Sequence, residues 1–286
     1  MIINYGNVSC LYYAPYFSET KYKYLDGYLT EANFMNRQNE NMRIYTESRF
    51  KPWIDSHTQT FFGRLIYIPW SDMLFKGIFG KKEDSTYSFG TLGSVAFLLR
   101  YYNAFQAEVV GGKIDRASFK ISQDSLLEIE LDIVGREYYE GELYPSSFYP
   151  DKEPTIGEPF RWAETLLTIG DTEVEEGLNR VSVVTHRNLK IHKLKDGKKP
   201  SLLEEGRAEV SLSFEMDMST SYNTFSDEVS SVKLKMTKPN DSSKYIEFDF
   251  SNCYLSSQDK SVANFRVGTQ KISYDVRDFL VLCKDI

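Results

Sequence analysis

The stretch from Arg207 to Met218 reads Arg-Ala-Glu-Val-Ser-Leu-Ser-Phe-Glu-Met-Asp-Met. Apolar and polar residues alternate strictly along it, and successive side chains of a β-strand point to opposite faces. The pattern therefore predicts one strand with a buried face and a solvated face. At about 3.3 Å per residue such a strand would run roughly 40 Å, well beyond the length of an ordinary strand. That length favours a closed barrel or an extended assembly sheet over a small sandwich.

The same alternation recurs elsewhere, so the chain is predicted to be mainly β. Residues 117–121 and 127–133 alternate in this way, which predicts an antiparallel pair that follows a tight turn at residues 111–112. Residues 181–194 are predicted to form a strand that leads to a hairpin-like turn at 196–200. Residues 81–93 are predicted to form a polar loop.

Two short segments change from the period of a strand to the period of a helix. In residues 70–80 the apolar side chains share one helical face, Ser71 can cap the start, and Gly80 suits the position after the last turn. Residues 219–229 show a similar spacing behind Ser219 or Ser221. We expect each helix to cover one face of a sheet with its apolar residues, which are Leu74, Phe75, Ile78 and Phe79 in the first helix and Tyr222, Phe225 and Val229 in the second.

Glycine and proline are dense between residues 135 and 160, and this density predicts a linker. On either side of it the same order of elements occurs: strands, a short capped helix, a strand and a run of alternating hairpins. This shared order indicates a duplication. We therefore predict an extended, aromatic-rich N-terminal arm over residues 1–40, a first β domain over 41–140, a linker over 141–160 and a second β domain over 161–286.

Composition narrows the class of protein. A hydrophobic content of 41% with 26% charged residues is ordinary for a folded soluble protein, and a net charge of −7 argues against a surface that wraps nucleic acid. The three cysteines show no CxxC spacing, which indicates neither a zinc site nor a disulfide framework. The N-terminus lacks a signal-peptide pattern, and no apolar run reaches the ~20 residues of a membrane helix. We expect a protein that folds in the cytoplasm without membrane anchoring.

No catalytic motif is recognisable, so we expect no enzyme activity, no cofactor and no metal. The histidines His57, His186 and His192 lack the convergent ligands of a metal site. Acidic residues alternate along two predicted strands, but a glycosidase needs two carboxyls at a set distance in a cleft, and this spacing is more typical of a solvated face. The alternative is that this face lines a channel. The acidic residues concerned are Glu128, Glu130, Asp132, Glu209, Glu215 and Asp217.

The order of segments in residues 70–80, 112–135 and 178–217 resembles that of the tail tube proteins (major tail proteins) of long-tailed bacteriophages. The first half carries a short helix that ends near Gly80 and then a strand pair, Gly-Lys-Ile-Asp-Arg-Ala-Ser-Phe-Lys-Ile followed by Leu-Glu-Ile-Glu-Leu-Asp-Ile-Val-Gly. The second half carries Asn188, Leu189, Pro200, Gly206 and the long strand. The likeness spans residues 40–280 and consists of sheet patterns.

The resemblance implies a fold and a role. Each chain would hold two tandem tail-tube-like domains, each a β-sandwich or half-barrel with one short flanking α-helix. Strands of neighbouring copies would join into a β-barrel ring, and rings would stack into the conduit for genome delivery. The protein would be a structural component of the virion tail that assembles in the host cytoplasm. Its partners would be itself, tape-measure and tail-end proteins, and double-stranded DNA in passage.

With two tube domains in each chain, three chains would close a ring of six domains; a homohexamer in which one half decorates the outside is the alternative. The acidic residues named above would be candidates for the inner wall, because a wall of the same sign as DNA prevents it from sticking. A different interpretation is a soluble β-sandwich module that binds carbohydrate or a surface receptor. Negative-stain images distinguish the two classes, since a tube subunit forms annular particles or polymers and a module stays monomeric.

Overall fold

The computed structural model describes residues 8–15, 23–40, 57–101, 105–142, 157–174, 176–193, 200–218, 226–261 and 268–286. Over these ranges the prediction of a mainly β chain is confirmed: seventeen strands form one sheet and two form a separate hairpin. Helix α1 spans Phe75–Phe79, and a 3-10 turn spans Trp162–Glu164. The strands in chain order are β1 (Val8–Pro15), β2 (Lys23–Tyr24), β3 (Gly27–Glu40), β4 (His57–Pro69), β5 (Gly80–Glu83), β6 (Thr86–Phe89), β7 (Val95–Tyr101), β8 (Phe105–Ser122), β9 (Glu128–Gly135), β10 (Glu137–Gly141), β11 (Thr165–Ile169), β12 (Thr172–Glu173), β13 (Leu178–His186), β14 (Lys190–Lys193), β15 (Pro200–Glu204), β16 (Glu209–Asp217), β17 (Glu228–Lys238), β18 (Asp241–Ser261) and β19 (Thr269–Lys284).

Eight strands form a continuous antiparallel stretch, which we call the central sheet: β3, β4, β9, β8, β13, β16, β19 and β18 in spatial order. The first four strands belong to the first half of the chain and the last four to the second half. The four strands of each half can be numbered first to fourth along the chain. Their spatial order in the sheet is then first, second, fourth, third, and it is the same in both halves. The halves meet where β8 pairs with β13, from Ser122 opposite Arg180 to Arg116 opposite His186.

Alternation of side chains decides which face of the central sheet is buried. Phe119, Ile129, Val183 and Leu212 lie on one face and are all buried, because apolar residues occupy every second position of their strands. The ring centroid of Phe119 is 5.1 Å from that of Phe248, which lies in the part of β18 that pairs with β17. The core therefore lies between the apolar face of the central sheet and the strands around β17.

The division into two tandem domains stays a prediction. Buried apolar side chains from both halves belong to one hydrophobic cluster, and Phe79 of the first half contacts Phe279 of the second at 5.5 Å between ring centroids. Of the predicted linker, residues 143–156 lie outside the described ranges, whereas Phe160 at its end is buried. Of the predicted arm, β1 pairs with β7 and β3 pairs with β4.

The turn predicted at residues 111–112 lies inside a strand, and most of the loop predicted over 81–93 forms strands, although residues 90–93 are outside any strand as predicted. Strand β8 runs through residues 111–112, and Gly111 adopts a φ of +61°, so the strand changes direction there without ending. Within residues 81–93, β5 and β6 form a hairpin in which Lys81, Lys82 and Glu83 are exposed. The polar composition reflects this exposure, because a short hairpin on the surface buries few of its side chains.

Residues 207–218 form a shorter strand than predicted. Strand β16 covers Glu209–Asp217 and shows the expected alternation: its apolar positions are buried, Glu209 is exposed and the other polar positions are half-buried. It starts late because the carbonyl of Arg207 accepts a hydrogen bond from the Asn188 side chain at 2.9 Å, so the backbone there is not in the sheet. The single strand predicted over residues 181–194 is interrupted: β13 ends at His186, Asn188 adopts a φ of +50°, and β14 follows. His186 and His192 therefore lie in different strands.

The first predicted helix is present and shorter than expected. It begins at Phe75, and the Ser71 hydroxyl accepts a hydrogen bond from the Met73 N–H at 3.2 Å in the turn before the helix. Gly80 ends the helix with a φ of +90°, as predicted for the residue after the last turn. The four apolar residues assigned to this helix, Leu74, Phe75, Ile78 and Phe79, are all buried.

The second predicted helix is corrected at its end. Val229 lies in β17 opposite Cys253 and packs partly buried against the core from a strand. The residues that follow in this strand, Val232, Leu234 and Met236, are buried with the two-residue period of a sheet. Tyr222 and Phe225 lie outside the described residues.

Candidate functional site

The two acidic stripes lie on the same face of the central sheet, which we call the polar face. Residues directly opposite each other on paired strands point to the same side. Asp132 is opposite Arg116, Arg116 is opposite His186, and His186 is opposite Glu209. The stripe on β9 and the stripe on β16 are therefore parts of one surface that crosses from the first half of the chain to the second.

Charges of opposite sign alternate across this surface. One row runs from Arg180 on β13 to Glu215 on β16, then to Lys271 on β19 and Asp259 on β18. Opposite charges on directly paired strands stabilise a sheet, and like charges in the same positions destabilise it. The polar face is therefore mixed in charge, whereas the sequence pattern of each strand suggested an acidic wall.

Glu130 lies at the centre of the largest ion cluster on the polar face. Its carboxylate is 2.9 Å from Arg64 Nη2, 2.5 Å from Lys120 Nζ and 3.4 Å from Arg116 Nη1. Arg116 also contacts Asp132 at 3.3 Å. Burial alone would raise the pKa of Glu130, but the hydrogen bond from Lys120 and the surrounding cations outweigh it and hold the pKa below its usual value.

The remaining acidic candidates differ in their surroundings. Glu209 is exposed at the start of β16, and Glu215 is half-buried between Arg180 and Lys271 in the register of the sheet. Asp217 accepts a hydrogen bond from the Asn179 side chain at 2.8 Å. Glu128, half-buried, is opposite Lys120. All six acidic residues thus belong to the polar face, and the prediction that this face lines a channel remains a prediction.

Both ends of the central sheet have a free side within the described residues. At one end β3 pairs with β4 alone. At the other end the Leu255 N–H still donates to the Asp227 carbonyl at 2.8 Å, and beyond it residues 256–261 of β18 pair only with β19. A strand with one free side presents a row of N–H and C=O groups that can pair with a strand of another chain.

A second polar cluster fixes the root of the β14–β15 hairpin, and sequence reasoning did not detect it. Both carboxylate oxygens of Glu205 accept hydrogen bonds from the Leu92 N–H, at 3.0 and 3.1 Å. The same carboxylate is 2.6 Å from Lys113 Nζ and 2.7 Å from Arg187 Nη2. Arg187 also donates to the Gly90 carbonyl. The cluster therefore ties the root of the hairpin, in the second half, to β8 and the loop after β6, in the first half.

Hydrogen bonds also set the pKa of Glu205. Burial would raise this pKa, but the bonds from Lys113, Arg187 and the Leu92 N–H outweigh that effect and lower it below its usual value. The sequence does contain an indication of this cluster, since Glu205 and Gly206 interrupt the alternation of apolar and polar residues between β15 and β16. The partners of Glu205, which lie 18 to 113 residues away in the chain, were not deducible from that interruption.

Among the described residues, no group of three His, Cys, Asp or Glu side chains is arranged to hold a metal ion. The same residues contain no helix of sufficient length and apolar character to span a membrane.

Comparison with known proteins finds a likeness among solved structures only. No protein-family model matches the chain, and no curated protein matches it. Among solved structures, a chain of the anti-feeding prophage cap (AFP tube terminating cap) aligns with 46% of this chain and 96% of its own length, at 13% identity and a TM-score of 0.32. This identity and this TM-score are too low for the role of the cap to be carried over to the present chain.

Proposed function

We propose that this protein is the structural subunit of a phage tail tube, in which copies join edge to edge into rings and the rings stack into the conduit for genome delivery. The observation that carries the proposal is the repeated strand order of the central sheet. Two sets of four strands follow one another with the same internal order, and their apolar faces share one core.

The strand pairing that joins the two halves of one chain indicates how neighbouring chains would pair. Within the chain, β8 pairs antiparallel with β13. In the spatial order of the sheet, β8 is the last strand of the first set and β13 is the first strand of the second set. The equivalent strands at the ends of the central sheet are β18 and β3, and both have a free side among the described residues. Because an even number of antiparallel strands separates them, β18 of one copy and β3 of the next have the directions that antiparallel pairing requires.

A closed ring would pair both free edges in every copy. If six sets of four strands close the ring, as the resemblance to tail tube proteins implies, three chains suffice. The polar face would line the bore, through which double-stranded DNA passes, and tape-measure and tail-end proteins would be the partners within the virion tail. In this role the protein catalyses no chemical reaction.

Two adjacent proline variants in the free part of β18 test the edge pairing. Consecutive N–H groups of a strand point to opposite sides, so Asp259→Pro and Lys260→Pro each remove one N–H from a different side of β18. One variant loses a hydrogen bond to β19 and should melt at a lower temperature than the wild type. The other loses an N–H on the free side and should keep the wild-type melting temperature.

Negative-stain microscopy and sedimentation then give the result. We expect the wild type to form annular particles or tubes, and the variant with the wild-type melting temperature to remain unassembled. Assembly by that variant would contradict pairing through β18. A wild-type protein that stays monomeric at all concentrations would contradict the proposed function and would favour a binding module.

A further inference from the structure

Glu130 differs from the other acidic residues of the polar face because it is enclosed by cations. Its direct neighbours across the paired strands are Ile66 and Ser118. Arg64, Arg116 and Lys120 occupy the diagonal positions around it and reach its two oxygens from β4 and β8. The Glu130 side chain is 9% exposed, whereas those of Arg64 and Lys120 are 49% and 42% exposed. The carboxylate is thus enclosed and two of the cations are accessible to solvent.

The cluster carries a net charge of +1 when Glu130 is ionised and would carry +2 with a neutral residue in its place. Three cationic side chains meet two carboxylates, Glu130 and Asp132, and Asp132 contacts only Arg116 among them. A neutral residue at position 130 would leave Arg64 and Lys120 without the carboxylate that they share. Exposed cations close together on a surface are the groups that bind DNA phosphates, since each neutralised phosphate releases counterions.

We propose that Glu130 masks a latent phosphate-binding site on the polar face and thereby prevents double-stranded DNA from adhering to it. The inference rests on the proposed function, in which this face lines the bore. It differs from repulsion by an acidic wall: a single enclosed carboxylate holds the cations in ion pairs, so that they stabilise the sheet without being available to phosphate. The lowered pKa of Glu130 is consistent with a carboxylate that is ionised at neutral pH.

The test is the affinity of the full chain for a short, fluorescently labelled DNA duplex, measured by anisotropy at several salt concentrations. Glu130→Gln keeps the shape of the side chain and removes its charge. We expect this variant to gain binding that weakens with salt, by about three- to fourfold per phosphate contact between 50 and 200 mM salt. Glu130→Gln combined with Lys120→Gln should lose part of that gain. No gain by Glu130→Gln would overturn the proposal.

Two controls separate masking by Glu130 from a change in net charge and from DNA binding by Lys120 that is already present in the wild type. Asp171→Asn makes the same charge change at an exposed turn between β11 and β12, and we expect no gain in DNA binding; an equal gain would overturn the proposal. Lys120→Gln in the wild-type background removes one cation of the cluster while the Glu130 carboxylate is kept. It should leave DNA binding unchanged, and a clear loss would show that Lys120 is already open to phosphate.

The DNA-binding measurement is made at protein concentrations below those at which rings form, so that it reports on dispersed chains and does not depend on ring formation. If Glu130→Gln gains binding while the wild type never forms rings, the masking inference holds and the proposed function fails. If rings form and Glu130→Gln gains nothing, the proposed function holds and the masking inference fails.

Discussion

At the scale of single residues, a few charged side chains join parts of the structure that are distant in the chain. Glu205 joins Lys113, Arg187 and the backbone of Leu92. Lys238 is buried, donates to the carbonyl of Trp70 at 2.9 Å and lies 3.8 Å from the centroid of the Phe160 ring. Burial lowers the pKa of Lys238 to about 8.

The Glu205 cluster predicts a dependence of stability on pH. Because the folded-state pKa of Glu205 lies below its unfolded value of about 4.3, its contribution to stability is fully present above the unfolded pKa and is lost as pH falls from there through the lower folded-state pKa. Glu205→Gln should lower the free energy of unfolding at pH 7 by about 2–3 kcal/mol, since two cations lose a charged partner. The difference from the wild type should shrink in acid, as measured by urea unfolding.

Glu204→Gln is the matched control, because Glu204 is the adjacent residue and its side chain is 52% exposed beside His192. An exposed ion pair contributes little, so this variant should change stability by less than about 1 kcal/mol. Equal effects of the two variants at pH 7 would contradict the assignment of the structural role to Glu205.

These residue contacts show where prediction from sequence ends. Lys238 lies on the buried face of β17, as its position two residues after the buried Met236 predicts. The sequence does not reveal that the carbonyls of Trp70 and Glu158 and the ring of Phe160 receive the ammonium group. Likewise, the alternation of Glu128, Glu130 and Asp132 places them on one solvated face, whereas Arg64 and Arg116 come from other strands and became neighbours only through the register.

At the scale of elements, the alternation of apolar and polar residues gave most strands correctly, because burial of one face requires it. Sequence reasoning failed where the backbone changes direction inside a strand, as at Gly111, or where an exposed hairpin has a loop-like composition, as in β5 and β6. It also failed at Val229, where a few apolar spacings suit both a helix and a strand. Pairing order was not predictable, because strands that pair are far apart in sequence.

Helix α1 is expected to contribute strongly to stability despite its length of five residues. The Phe75 ring contacts those of Phe79, Tyr87 and Phe119 at centroid distances of 5.6 to 5.7 Å and is fully buried. Phe75→Ala should therefore reduce the free energy of unfolding by about 3–5 kcal/mol. Chemical unfolding followed by circular dichroism measures this change.

Lys76→Ala is the control within the same helix, because Lys76 is exposed. Substitution of an exposed residue without special contacts changes stability by about 0.5 kcal/mol or less. A Phe75→Ala variant as stable as Lys76→Ala would be incompatible with the described packing of the helix.

At the scale of the whole molecule, the central sheet unites the two halves of the chain. Each half contributes four strands in the same order, the halves pair through β8 and β13, and the apolar side chains form one core. The order of elements in the sequence predicts a duplication, since each half has a strand pair, a change of period and alternating hairpins, and the division into two domains stays a prediction. The sequence did not predict that the four strands of the second half would follow those of the first half in one sheet. That arrangement depends on which strand edges remain free after each half has folded.

The stoichiometry of isolated rings tests the central claim most directly. If β18 of one copy pairs with β3 of the next in the way that β8 pairs with β13, one chain supplies two of six equivalent sets of strands. Native mass measurement of single rings should then give three times the chain mass of 33.1 kDa, and averaged end-on images should show six similar units around a central hole. A ring with the mass of six chains, or a protein that remains monomeric, would contradict this account.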